Sequence, residues 1–126
     1  MSEKRKVWGI EADVLDMVND AAKGSFPHEF AAVLRAEKGI ITEILLLPGS
    51  ISTEYSATVT LHNLPIDLSV VGTVHSHPGP SNRPSEEDLH LFGSFGNTHI
   101  ITCLPFDMKS WRAYDWKGDA VELEVL

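Results

Sequence analysis

The segment HSHPGPSNRPSEED, residues 75–88, constrains the fold of this chain more than any other stretch. A β-branched run at residues 70–74 precedes it, which predicts a strand that leads directly into two histidines. The glycine and prolines after the histidines end any regular element. Ser85 is a favoured helix N-cap and predicts a helix over residues 85–92. The segment therefore predicts a strand, a tight loop and a helix in direct succession.

Two histidines and one aspartate of this segment have the spacing of a metal site. Side chains at positions i and i+2 of a strand share a face, so His75 and His77 point together. Residues i and i+3 of a helix also share a face, so Ser85 and Asp88 point together. A helix packed beside the strand end would join two imidazoles and one carboxylate, which is a ligand set of catalytic zinc. The plainer interpretation is a polar turn in which Ser85 only caps the helix and Asp88 only faces its dipole.

Composition and charge limit the functions open to the chain. Its 126 residues suit a single domain, residues 1–126, and 43% of them are hydrophobic. The ten Lys and Arg residues are scattered and the formal net charge is −8, so no nucleic acid partner is expected. No apolar run approaches the roughly 20 residues that span a bilayer, and no secretory signal is recognised. With one cysteine, Cys103, we expect a cytoplasmic protein that has no internal disulfide and no membrane partner.

Hydrophobic periodicity predicts the remaining elements. We expect a helix over residues 11–23, and its apolar positions are Val14, Met17, Val18 and Ala21. Further strands are predicted over residues 30–34, 40–47, 55–61, 99–104, 111–114 and 120–125. Lys38 and Gly39 predict a hairpin turn between the strands at 30–34 and 40–47. The pattern predicts one α/β or α+β domain with a mixed or mostly antiparallel sheet and two main helices.

The sequence HSHP at residues 75–78, followed after six residues by Ser85 and then by Asp88, resembles the JAMM motif of the MPN+ zinc metalloproteases. The resemblance covers nearly the whole chain. It implies a single MPN domain, in which helices flank a mixed sheet related in architecture to that of cytidine deaminases. It also implies one Zn2+ ion, bound by His75, His77 and Asp88. The deaminase signature itself is absent, and a single cysteine excludes that chemistry.

The resemblance further implies two catalytic residues, Glu29 and Ser85. Glu29 follows a proline and precedes an apolar strand, as the family's glutamate does, although Ala31 and Ala32 stand where cysteine and glycine are common. It implies that Glu29 accepts a proton from the attacking water and returns it to the leaving amine. It implies that the Ser85 hydroxyl helps the zinc to stabilise the oxyanion. Without the motif, Glu29 would be interpreted as an exposed acid at the start of a strand.

The substrate class also follows from the resemblance. Family members often cleave the amide bond between the C-terminus of a ubiquitin-like modifier and a lysine of its target. An extended C-terminal tail would add a strand to a sheet edge beside the zinc, and the predicted strand at residues 55–61 is the candidate edge. The short chain is similar to free-standing prokaryotic members that act on small ubiquitin-like modifiers or sulfur carriers. The resemblance is also compatible with a homodimer.

Four other classes of protein share part of this residue pattern. A non-catalytic MPN scaffold would usually lack one or more of the ligands that are present here. A zinc hydrolase of a small peptide or of a sulfur-carrier adduct stays open. A non-haem iron enzyme also uses two histidines and a carboxylate, but in a different order along the chain. An amidohydrolase barrel begins with a similar pair of histidines but needs roughly 250 residues.

Several other residues that could carry chemistry are expected to be structural. His99 begins a strand, so we expect a core or edge position for it. Cys103 lies inside an apolar strand, which predicts a buried and unreactive thiol. Packing in the core or against the sheet is predicted for Trp111, Tyr114 and Trp116.

Overall fold

A mixed sheet and two helices make up the part of the chain that the computed structural model describes, residues 6–46 and 69–126. The strands are β1 (Gly9–Ile10), β2 (Ala31–Glu37), β3 (Ile40–Leu46), β4 (Val70–His77), β5 (Thr98–Cys103), β6 (Trp111–Tyr114), β7 (Ala120–Val121) and β8 (Glu124–Val125). The helices are α1 (Ala12–Ser25) and α2 (Glu86–Ser94). The predicted α+β fold with a mixed sheet is confirmed. The predicted strand at residues 55–61 lies outside the described residues.

One face of the sheet packs against α1. The buried residues of α1 are Val14, Leu15, Val18, Asn19 and Ala22. Ala32, Val74 and Ile100, from three neighbouring strands, belong to the same apolar cluster as this helix. Met17 is 48% exposed, so its predicted place on the apolar face is wrong. The buried stripe repeats at intervals of three and four residues through positions 15, 18 and 22, and position 17 falls outside it.

The hairpin between β2 and β3 forms as its turn residues predict. Lys38 and Gly39 have φ angles of 53° and 83°, the left-handed conformation that a two-residue type I′ turn needs. Glu37 and Ile40 pair directly across this turn. The turn chemistry therefore sets the register of the first antiparallel pair.

The crossover from β4 to β5 places α2 on the sheet face opposite to α1. The two strands are parallel, with Gly72 paired to Thr98. A Cβ atom at Gly72 would lie 1.6 Å from the Thr98 carbonyl oxygen, so only glycine permits this approach. Side chains alternate along each strand, and those facing away from α1 meet Leu91 and Phe92 of α2. The metal-site residues of β4 lie on this second face.

The C-terminal segment corrects the prediction of one strand at residues 120–125. β7 pairs with β6 at one edge of the sheet, whereas β8 pairs with the unpredicted β1 at the other edge. Only Glu122 and Leu123 connect β7 to β8, so the sheet is curled and its two edges lie close together. Beyond β8, the Leu126 carbonyl oxygen accepts a hydrogen bond from the Ala12 amide at the start of α1.

The other residues that were expected to be structural have mixed outcomes. His99 is fully buried and Cys103 is 4% exposed, which confirms both expectations of burial. Burial raises the pKa of the Cys103 thiol, as expected for an unreactive group. Trp116 is 54% exposed, so its predicted packing is wrong. Within the described ranges, no helix combines the length and the apolar character needed to cross a membrane.

Candidate metal centre

The end of β4 and the first turn of α2 bring His75, His77 and Asp88 together. One ligand atom from each residue can be chosen so that all three lie within 4.8 Å of one another. The two imidazole rings lie side by side, with centroids 5.1 Å apart. His75 and Asp88 are buried, while His77 is half-buried. The structure thus joins the three residues that were predicted as ligands.

The contacts within this cluster fit a metal ion. Nε2 of His77 donates a hydrogen bond to Oδ2 of Asp88 at 3.0 Å. Nε2 of His75 lies 2.9 Å from Oδ1 of Asp88 but lacks hydrogen-bond alignment, so this buried nitrogen has no hydrogen-bond partner among the described residues. Buried polar atoms normally have a partner. Two imidazole nitrogens and one carboxylate oxygen are a donor set that zinc uses in catalytic sites, so the residues present fit this ion.

The directions of the pKa shifts of Asp88 and His77 also favour the binding of a cation. Burial alone would raise the pKa of Asp88, but the two imidazoles and the Ser85 amide hold it well below its ordinary value. The hydrogen bond to Asp88 raises the pKa of His77 against the opposing effect of burial, and the Ser81 carbonyl and the charge on Glu29 act in the same direction. A ligating imidazole must be neutral, so zinc would displace the proton at Nε2 of His77.

The loop between β4 and α2 orients the His77 ring through a hydrogen bond to its Nδ1 atom. Nδ1 of His77 donates to the Ser81 carbonyl at 3.0 Å, which leaves Nε2 directed at the site. Metal-binding histidines commonly have such a second hydrogen bond. The loop itself is anchored at Asn82, whose side chain donates to the Ser110 carbonyl and whose carbonyl accepts from the Tyr114 hydroxyl. These anchors were not predicted from the sequence because their partners lie 28 and 32 residues further along the chain.

Ser85, the predicted N-cap, forms a capping box with Asp88, three residues further along the chain. The Asp88 amide donates to Oγ of Ser85 at 3.1 Å, and the Ser85 amide donates to Oδ2 of Asp88 at 2.9 Å. The capping box therefore fixes the Asp88 carboxylate, the predicted metal ligand, and also caps the N-terminus of α2. Oγ of Ser85 acts as an acceptor in this arrangement and the residue is exposed, so its own hydroxyl proton is free of the cap. The predicted oxyanion role stays a prediction.

Glu29 lies two residues before the start of β2 and is half-buried. The ladder between β2 and β4 ends at Ala31 and His75, and two further hydrogen bonds join Phe30 to Ser76. The negative charge on Glu29, the residue before Phe30, acts on His77 and also raises the pKa of that imidazole. Glu29 does not belong to the cluster of three ligand atoms. This position suits a residue that acts beside a metal without binding it, although the general-base role stays a prediction.

Comparison with known proteins agrees with this geometry. Residues 11–114 match the family described as "Prokaryotic homologs of the JAB domain". The chain belongs to this family. A protein from Haloferax volcanii that is named "Probable metalloprotease" is 39% identical over 132 residues, which cover 97% of this chain and 81% of that protein.

Solved structures share the architecture. A JAB1/MPN domain protein from Archaeoglobus fulgidus has 42% identity and a TM-score of 0.77, covering 94% of this chain and 96% of that one. A structure described as "JAMM: A Metalloprotease-like Zinc Site in the Proteasome and Signalosome" also has 42% identity and a TM-score of 0.77, covering 96% and 99%. A solution structure from Desulfitobacterium hafniense, at 19% identity and a TM-score of 0.58, shares the fold alone.

These matches bear on four of the predictions made from the sequence. The predicted family and the MPN fold are confirmed. The predicted enzyme class, a zinc metalloprotease, and its single Zn2+ ion are confirmed at the level of the family. The substrate is a finer question that these matches leave to experiment.

Proposed function

We propose that this protein is a zinc-dependent isopeptidase that releases a small ubiquitin-like modifier from the lysine side chain of a target. The observation that carries the proposal is the convergence of His75, His77 and Asp88, with the charge of Glu29 acting on His77 from outside the ligand cluster. The metalloprotease class is supported by the name of the Haloferax relative and by the zinc site described for a solved relative. The choice of modifier rests on the resemblance of the motif. The cytoplasmic location and the homodimer remain predictions.

Each polar side chain of the site has a defined task in this proposal. His75, His77 and Asp88 hold Zn2+, which would activate a water molecule and polarise the scissile carbonyl. Glu29 accepts a proton from the attacking water and delivers it to the departing lysine nitrogen. Ser85 donates its hydroxyl proton in a hydrogen bond to the carbonyl oxygen as negative charge develops there.

The test is the cleavage of a ubiquitin-like protein joined through its C-terminal carboxyl to the lysine Nε of a fluorescent peptide. We expect release by the zinc-loaded protein, loss of release after chelation and recovery when Zn2+ is restored. Glu29→Gln should keep one zinc per chain and lose about 10²–10⁴ in kcat, the range of a general acid–base contribution. Glu122→Gln, which removes an exposed carboxylate elsewhere, serves as the matched control.

Two results would contradict this proposal in different ways. Turnover that survives complete zinc removal, or that is normal in Glu29→Gln, would refute the mechanism. Zinc-loaded protein that leaves the conjugate intact would refute the isopeptidase proposal. Hydrolysis of a short peptide or of a sulfur-carrier adduct by that protein would then identify the other hydrolase, and inertness towards all of them would favour a scaffold.

A further inference from the structure

Ser76 lies between the two histidines of β4 but faces the opposite side of the sheet. It is 1% exposed and lies on the face that packs against α1. There its Oγ accepts a hydrogen bond from the Phe30 amide at 2.8 Å. The Ser76 amide in turn donates to the Phe30 carbonyl at 2.9 Å. One residue of β4 therefore holds Phe30 through both its side chain and its backbone.

The side-chain bond replaces a backbone bond at the end of the ladder between β2 and β4. In a regular antiparallel ladder, every second pair of opposite residues exchanges two backbone hydrogen bonds, and the Ser76 amide bond to Phe30 marks this pair as one of that kind. Here the second bond goes to Oγ of Ser76, and β2 proper begins only at Ala31. The chain before Ala31 thus leaves the regular strand geometry while the Ser76 side chain still holds it to β4.

This contact fixes the backbone that carries Glu29. The Phe30 amide belongs to the planar peptide unit that starts at the Glu29 carbonyl, so a bond to that amide sets the plane next to the Glu29 Cα atom. On the other side, the His28 amide donates to the Ser25 carbonyl at 2.7 Å. Glu29 therefore adjoins one anchored peptide unit, held by Ser76, and lies one residue beyond a second, between Pro27 and His28, that is held by the end of α1.

We propose that Ser76 is a positioning residue for Glu29. This proposal rests on the proposed function of Glu29 as general base. A displacement of about 1 Å at a reacting group can cost 10²-fold in rate. The metal ligands project from the opposite face of β4, so loss of the Ser76 hydroxyl should move the base and leave the zinc in place. Ser76 and the histidines are adjacent in sequence, yet their effects on catalysis and on metal binding are separable.

The experiment compares zinc-loaded Ser76→Ala with Ser76→Thr, which keeps a hydroxyl, in the conjugate cleavage assay. We expect Ser76→Ala to lower kcat by about 10- to 100-fold with KM and zinc content unchanged, and Ser76→Thr to recover most of the loss. Thr102→Val is the matched control. Thr102 is paired with Ser76 across β4 and β5 and is fully buried, and its hydroxyl donates to Asn19, away from Phe30.

A double-mutant cycle distinguishes positioning from general destabilisation. If Ser76 acts through Glu29, Ser76→Ala should cost nothing further once Glu29→Gln has removed the base. A merely structural role would lower activity by the same factor in both backgrounds. Additive losses in the cycle, or a normal kcat in Ser76→Ala, would overturn the proposal.

The hydrogen bond can also be tested without any substrate. Hydrogen exchange of the Phe30 amide, measured by NMR in the zinc-loaded protein, should be faster in Ser76→Ala than in the wild type and unchanged in Thr102→Val. Equal exchange in Ser76→Ala and the wild type would overturn the proposal. A wild type that cleaves no isopeptide while Ser76→Ala shows the faster exchange contradicts the proposed function and not the contact, so the two failures are distinguishable.

Discussion

Asp88 is 2% exposed, and both of its carboxylate oxygens face nitrogen atoms. Oδ2 accepts from the Ser85 amide and from His77, and Oδ1 faces His75. A charged group is tolerated at such a depth only when it is paired or coordinates a metal. The residue therefore serves both the helix start and the predicted metal centre, and its substitution should affect each of them.

Zinc content should respond to Asp88 and not to Glu29. We expect Asp88→Ala to lose the metal because two histidines alone do not complete the ligand set, whereas Glu29→Gln retains it because Glu29 lies outside the ligand cluster. Metal analysis after dialysis measures this directly. An Asp88→Ala protein that still contains one zinc per chain would refute the ligand role.

His99 is a buried histidine that the proposed reaction does not use. Its ring stacks on Phe92 with centroids 4.3 Å apart, and its Nδ1 lies 2.7 Å from the Thr73 hydroxyl. Its Nε2 has no hydrogen-bond partner among the described residues. Burial lowers the pKa of His99 from 6.5 to about 4, so the folded protein holds this imidazole neutral near pH 7.

This lowered pKa predicts how stability depends on pH. Between pH 6.5 and about 4 the unfolded chain binds a proton at His99 that the folded protein does not, so stability falls as the pH drops through this window. The loss approaches about 3 kcal/mol by pH 4, and the full contribution is present above pH 6.5. His99→Phe keeps an aromatic ring against Phe92 and removes the titration. Urea unfolding of both metal-free proteins from pH 4 to 8 should give a stability difference that changes with pH, and a constant difference would contradict the prediction.

At the scale of the element, α2 depends on its first turn. The helix has nine residues, and only Asp88, Leu91 and Phe92 are buried. Isolated helices of this length are marginal, so packing and the cap must supply its stability. The capping box ties Ser85 to Asp88 through two hydrogen bonds. The cap and the proposed oxyanion donor are thus the same side chain.

Two substitutions of Ser85 separate these roles. Ser85→Ala should cost about 1 kcal/mol of stability through the lost cap, whereas glycine at an N-cap costs only about a few tenths of a kcal/mol. If the hydroxyl stabilises the oxyanion, both variants should lose about 10²–10³ in kcat. Thermal unfolding and steady-state kinetics on the same samples give the comparison. Normal turnover in Ser85→Gly would mean that Ser85 is only a cap.

At the scale of the whole molecule, a metal ion would join the second face of the sheet to α2. Binding to the folded state alone stabilises it by about 2.7 kcal/mol when free zinc is at 100 times its Kd. For a chain of this size, that corresponds to a Tm increase on the order of 10 °C. We expect chelation to lower the Tm of the wild type and of Glu29→Gln equally. Asp88→Ala should be insensitive to chelator, and an equal shift in that variant would contradict a stabilising zinc at this site.

Features with short-range causes were predictable from the sequence. The left-handed turn at Lys38 and Gly39, the capping box at Ser85 and the shared face of His75 and His77 each depend on residues at most three positions apart. Continuous apolar and β-branched runs also located β2 and β4, because a strand buried on both faces carries apolar residues without alternation. Short strands had no such signal. β1 has two residues and exists because β3 and β8 pair with it from both sides.

The sequence by itself determined that His75, His77 and Asp88 are the candidate metal ligands and which local elements present them, because backbone geometry dictates the faces of a strand and a helix. Tertiary structure alone decided how the rest of the site is held. Ser76 meets Phe30 across 46 residues, and Asn82 meets Ser110 across 28. The curl of the sheet, whose two edge strands are connected by Glu122 and Leu123, likewise depends on strand pairing at both edges. Such contacts are set by the packing of distant segments, which local periodicity does not encode.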